Sequence, residues 1–88
     1  MGLSDIANTY KISLVWNKAT IVPGNDPNVF RKDRFGAWIQ YSAYGNRDHE
    51  YGWEIDHIIP VAAGGLDDLS NLQPLHWQVN CKKSDKIL

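Results

Sequence analysis

The sequence predicts a small α+β fold, on three observations. Residues 37–44 alternate aromatic and polar side chains as a strand does, and residues 51–58 read as a strand returning after the turn chemistry of Gly45-Asn46-Arg47-Asp48. Residues 75–86 contain neither glycine nor proline and suit a helix. Between them, Gly64-Gly65 and Asp67-Asp68 mark a loop over residues 61–70.

Residues 3–10 suit a short helix with Ser4 as its N-cap, and residues 11–16 mix apolar and polar side chains in a weak strand pattern. Pro23-Gly24-Asn25-Asp26-Pro27-Asn28 is a dense turn cluster, after which residues 29–33 suit a single helical turn. The two strands at 37–44 and 51–58 are expected to pair as a long-looped hairpin, and Pro60 ends the second because it has no N–H for a sheet. Residues 72–74 give at most a short edge strand. On the final helix, Leu75 and Val79 lie one turn apart toward the core, with His76, Asn80 and Lys83 on an adjoining face.

Composition narrows the class. The 88 residues suit one domain spanning 1–88, close to the smallest size that one core stabilises. Hydrophobic residues make up 43% of the chain. Trp16, Trp38, Trp53 and Trp77 can each bury roughly 150–250 Å², which gives a short chain a workable core. No apolar run nears the roughly 20 residues of a membrane-spanning helix, so no membrane partner is expected. Met1-Gly2-Leu3-Ser4-Asp5 lacks the regions of a signal peptide. Cys81 is the lone cysteine, which excludes an internal disulfide and a multi-cysteine zinc site. A reducing cytoplasmic setting is expected, a delivered toxin domain being the other setting that fits. The net charge of −1 argues against nucleic-acid binding by bulk charge. Positive charge is local instead: Arg31, Lys32 and Arg34 form one cluster, Lys82, Lys83 and Lys86 another, and Arg47 stands alone.

The residues with chemical capacity fall late in the chain. Asp56 can give a divalent cation a hard oxygen ligand, and the adjacent His57 can accept a proton from water near neutral pH. A strand sends neighbouring side chains to opposite faces, so a local distortion near Pro60 is needed to bring this pair to one site. Asn71, at the end of the Gly-Gly loop, can pin loop backbone with its amide. Asn80, on the helix, can add a second oxygen ligand, and Lys83, one turn on, can meet a phosphate. Two oxygen ligands suit Mg²⁺, which keeps several waters and takes phosphate oxygens, and do not suit structural zinc. Taken singly, each residue type is commonplace on a protein surface; their combination carries the weight.

The run Trp53-Glu54-Ile55-Asp56-His57-Ile58-Ile59-Pro60, then Gly64-Gly65, then Asn71-Leu72-Gln73-Pro74-Leu75, then Asn80-Cys81-Lys82-Lys83-Ser84-Asp85 resembles the HNH endonuclease family. The resemblance implies a ββα-metal (His-Me finger) core over about residues 51–86, preceded by an N-terminal extension of short helix and strands. It implies His57 as general base, Asp56 and Asn80 as ligands of one Mg²⁺ (or Mn²⁺), Asn71 as the residue that orients the histidine loop, and Lys83 near the scissile phosphate. The expected activity is hydrolysis of DNA phosphodiesters, with RNA as the alternative substrate and a homodimer as the route to double-strand cleavage. Arg31, Lys32, Arg34 and Lys82 are expected on substrate phosphates. Many relatives brace this unit with a zinc held by two C-x-x-C pairs. Here His76 and Val79 occupy the second pair's positions and residues near Ser42-Ala43-Tyr44 the first, so no structural zinc is expected and Trp38, Trp53 and Trp77 are expected to brace the unit instead. His76 is read as structural or substrate-facing in preference to a metal ligand, an alternative its i, i+4 relation to Asn80 keeps open, and His49 as plain surface. The competing readings are a non-catalytic nucleic-acid-binding module on the same scaffold and a protein-interaction domain.

Overall fold

The computed structural model describes residues 3–84 and 86–88, and side chains from residue 7 onward. The expected Ser4 cap and the motif residue Asp85 therefore lie outside the described part. In chain order the elements are α1 (Leu3–Trp16), β1 (Phe30–Lys32), β2 (Trp38–Gln40), β3 (Trp53–His57), β4 (Leu72–His76) and α2 (Trp77–Lys83). Short 3₁₀ turns stand at Tyr41–Ala43, Val61–Ala63 and Leu69–Asn71. This is an α+β fold with two antiparallel two-stranded sheets, β1–β2 and β3–β4.

Four local expectations are corrected. Residues 11–16 continue α1 rather than forming a strand. Ile12, Val15, Trp16 and then Ala19 recur at helical spacing and face the core, with Val15 0% and Trp16 3% exposed. Residues 29–33 hold strand β1 rather than a helical turn, with Phe30, Arg31 and Lys32 opposite Gln40, Ile39 and Trp38. The Asp33 carboxylate closes that hairpin, accepting from the Phe35 and Ala37 N–H groups at 3.0 and 2.9 Å. Its other oxygen accepts from the His76 N–H at 3.0 Å, which fastens the hairpin to the end of β4.

The third correction concerns pairing. Residues 37–44 turn away after Gln40 and form no strand ladder with β3; their backbone meets it at a parallel bridge, Tyr44 to Trp53, and the Gln40 N–H donates to the Tyr51 carbonyl, ahead of β3, at 3.0 Å. The partner of β3 is β4, in a register running from Trp53 opposite His76 to His57 opposite Leu72. The expected three-residue edge strand thus extends to five, and all five residues are buried because α1, β2 and α2 all pack against it. Fourth, α2 begins at Trp77, since Leu75 and His76 belong to β4. The His76 ring caps it, Nδ1 accepting from the Gln78 N–H at 3.1 Å.

Trp53 is 0% exposed and sits among Trp16, Tyr41 and Tyr44, with ring centroids 5.3, 6.5 and 5.0 Å away. Its indole N–H finds the Tyr41 carbonyl at 3.2 Å, as a buried indole requires. The tryptophan that joins Trp53 in the core is Trp16. Trp38 packs edge-on to Phe30, and Trp77 stacks on His76 with its N–H on the His49 carbonyl at 3.2 Å. No described helix is long and apolar enough to cross a membrane.

Candidate active site

Asp56 and His57 are the last residues of β3, and both line a cleft of about 180 Å³ with Ile55, Pro60, Val61 and Ser84. Asp56 is buried; its Oδ2 receives Gln73 Nε2 at 2.9 Å and Lys83 Nζ at 3.2 Å. The His57 side chain is 28% exposed, with Nε2 2.9 Å from Asp67 Oδ1. Lys11 of α1 reaches the same carboxylate at 3.1 Å. Lys11 and then His57 hold the Asp67 carboxyl below the ordinary aspartate range. Ser84 ends α2 with φ of 49° and ψ of −127°, a backbone conformation unusual outside glycine, right at the cleft.

The loop after His57 is tied by one side chain. Asn71 Oδ1 accepts from the Ile59 N–H at 2.9 Å, while Nδ2 donates to the Ile59 and Leu66 carbonyls at 3.0 and 2.9 Å. The Asn71 carbonyl also accepts from the Ile58 N–H at 2.8 Å. The two glycines serve different ends. Gly64 adopts a left-handed φ of 88°, closing a 3₁₀ turn. Gly65 admits no side chain, because a Cβ there would stand 1.7 Å from the Ile59 carbonyl oxygen and 2.9 Å from Asn71 Nδ2.

Asn80 projects from α2 toward β3, where its Nδ2 donates to Glu54 Oε1 at 2.9 Å. Arg47 grips the same carboxylate with Nε and Nη2 at 2.7 and 2.9 Å. Arg47 chiefly, helped by Asn80, holds the Glu54 carboxyl below its ordinary value against the opposing effect of burial.

The cations divide into two groups. Lys32, Arg34 and Lys82 keep contact with solvent, Lys32 above the Trp38 ring at 4.9 Å and Arg34 beside Phe35 at 5.2 Å. Arg31, expected on substrate phosphate, is instead turned inward. It is 8% exposed, donates to the Pro27, Asn17 and Ala19 carbonyls, and lies 5.6 Å from the Trp16 ring. Lys83, expected at a phosphate, is 2% exposed and spends its ammonium on Asp56 and on the His57 carbonyl at 3.0 Å. His76, considered for substrate contact, is 7% exposed with both ring nitrogens engaged, Nε2 donating to the Glu50 carbonyl at 2.7 Å. His49 is half-buried rather than plain surface, its Nδ1 accepting from the Tyr51 N–H at 3.0 Å.

Sequence reasoning passes over Gln73, Glu54, Asp67 and Asp33. Gln73 and Glu54 stand inside the quoted motif, but their partners depend on strand register and helix placement. Among the described residues no group of three or more His, Cys, Asp or Glu side chains is placed to hold a metal ion. Asp56 and His57 line the cleft together, whereas Asn80 is not among the residues lining it and meets β3 through Glu54.

No curated protein and no solved structure matches the chain. The family model described as HNH endonuclease matches residues 45–86, which take in β3, the Asn71 loop, β4 and α2. Members generally act on nucleic acids and use a divalent metal. Residues 45–86 are thus similar to the HNH endonuclease family, and the match supports activity of the nuclease class.

Proposed function

We propose that the chain is an endonuclease that hydrolyses DNA phosphodiesters with one divalent cation, Mg²⁺ or Mn²⁺, held by Asp56 and Asn80. The observation that carries this reading is that Asp56 and His57 share one cleft beneath a loop fastened by Asn71. The donor set fits such a cation. Asp56 Oδ1 and Asn80 Oδ1 are hard oxygens, and among the described residues no hydrogen bond reaches either. Mg²⁺ needs only one or two carboxylates because it retains waters and takes phosphate oxygens. The Asn80 amide nitrogen is spent on Glu54, which leaves the oxygen as the ligand atom.

When bound, a cation there supplies charge stabilisation for the phosphate and the departing oxygen. The protein's own part is proton transfer and positioning. An ionised carboxylate only accepts hydrogen bonds, so in the neutral ring His57 Nε2 bears the proton toward Asp67 and Nδ1 carries the lone pair. Nδ1 is then the atom that takes a proton from the attacking water. Asn71 fixes the backbone from Ile58 to Leu66, which keeps the wall of the cleft beside His57 in place. Lys32, Arg34 and Lys82 supply contacts to backbone phosphates, which give affinity without reading sequence. An RNA backbone satisfies the same contacts.

The test is nicking of supercoiled plasmid by the folded chain with Mg²⁺, Mn²⁺ or EDTA. Nicking with either cation, its loss in EDTA and its loss in Asp56→Asn are expected. Cleavage that survives EDTA, or a folded Asp56→Asn chain that nicks at the wild-type rate, contradicts the assignment.

A further inference from the structure

Asp56 and Gln73 stand directly opposite one another in the β3–β4 ladder, and Gln73 Nε2 donates to Asp56 Oδ2 at 2.9 Å. Lys83 Nζ, from α2, approaches the same oxygen at 3.2 Å and also donates to the His57 carbonyl at 3.0 Å. Both supports are buried, Gln73 to 5% and Lys83 to 2% exposure. The Gln73 amide is fixed from its other side as well. Its Oε1 accepts from Arg34 Nη1 at 3.5 Å, and its Nε2 also donates to the Leu88 carbonyl at 3.0 Å. A flipped amide would set acceptor against acceptor at Asp56. Two donors therefore converge on one carboxylate oxygen and, among the described residues, leave the other clear.

We infer that Gln73 and Lys83 are positioning residues for the aspartate ligand: they fasten Asp56 by Oδ2, so that it meets a divalent cation through Oδ1 alone. The inference rests on the proposed nuclease function and gives Lys83 a place other than the substrate phosphate. Direct phosphate contact needs the ammonium at the surface, and the Lys83 side chain is 1% exposed. Lys83 instead supplies the counter-charge that a buried carboxylate requires.

The two supports act on cation affinity with opposite sign. Gln73 is neutral, so removing it loosens the carboxylate without changing the charge around it. Lys83 is a positive charge on the same carboxylate and opposes a second cation there. With Gln73 in place, removing Lys83 leaves Asp56 oriented but short of a counter-charge.

The experiment is Mn²⁺ titration of the whole chain without DNA, read by the electron paramagnetic resonance of free Mn²⁺, with thermal melts in its absence and presence. Asp56→Asn should lose binding. Gln73→Met should bind Mn²⁺ roughly tenfold more weakly, the usual size for the partner of a ligand. A merely structural glutamine would lower the melting temperature and leave the affinity of the folded chain unmoved. Lys83→Met should bind at least about threefold more tightly and show a larger Mn²⁺-induced rise in melting temperature. A Lys83→Met chain that folds only with Mn²⁺ present supports the same conclusion, and Gln73→Met carries the test if it does not fold at all. Wild-type Mn²⁺ affinity in Gln73→Met overturns the inference. So does a Lys83→Met chain whose metal-free DNA binding loses about one unit of salt slope, the mark of a lost phosphate contact. Wild-type affinity in Asp56→Asn would instead overturn the metal assignment itself.

Discussion

At the scale of single residues, Asn71 shows how one side chain can organise a site it does not itself line. Its amide makes three hydrogen bonds to the backbone of Ile59 and Leu66, satisfying groups that loop residues cannot pair among themselves. Asn71→Ala should cost about 1–3 kcal/mol in a urea melt and slow cleavage as the wall beside His57 loosens. A wild-type melt with wild-type cleavage would remove Asn71 from the account. Asp56, His57, Asn71 and Asn80 stand out in the sequence through their combination and order along the chain, since each residue taken singly is commonplace. Arg31 and Lys83 look like surface cations in the sequence. Their burial is set by elements far along the chain, Trp16 for one and β3 for the other.

At the scale of elements, β3 is the spine, and what meets it on each side decides the chemistry. Its pairing with β4 puts Gln73 opposite Asp56, while α2 sets Asn80 on Glu54 and Lys83 on Asp56. No window of sequence contains that register. The expected hairpin between residues 37–44 and 51–58 gives way to a five-residue ladder of β3 with β4, while the three-residue β2 pairs with β1. The Arg47–Glu54–Asn80 linkage joins the turn before β3 to α2 and carries a pH signature. The Glu54 carboxyl titrates lower in the folded chain than in the unfolded one, chiefly through Arg47. Its contribution is thus fully present above the unfolded value of about 4.3 and is lost as pH falls through the lower folded value. Melting temperature should fall across that acid window more steeply for wild type than for Glu54→Gln. Parallel acid profiles for the two would contradict the linkage.

At the scale of the whole molecule, a net charge of −1 leaves binding to a few placed cations. Lys32, Arg34 and Lys82 keep contact with solvent, where the proposed function needs them, whereas Arg31 and Lys83 are consumed inside the fold. Three phosphate contacts imply a slope of roughly −2 to −3 in log affinity against log salt for duplex DNA. A flat dependence would contradict backbone binding, and a slope near −5 would return the two buried cations to the interface. The α+β class and the β3-to-α2 unit are legible in sequence because turn residues and a glycine-free helix punctuate them. The second half of α1 is not, because Ile12, Val15 and Trp16 take on a helical face only once a core exists to receive it.

The central claim is that His57 moves the proton in a cleavage reaction at this cleft, and turnover of His57→Ala measures it most directly. With the histidine partly exposed, the variant should keep the wild-type melting temperature and Mn²⁺ affinity. Its plasmid-nicking rate at saturating Mg²⁺ should drop by about 10²–10⁴-fold, the usual worth of general-base help. A folded, metal-binding His57→Ala chain that nicks plasmid at the wild-type rate would contradict the account.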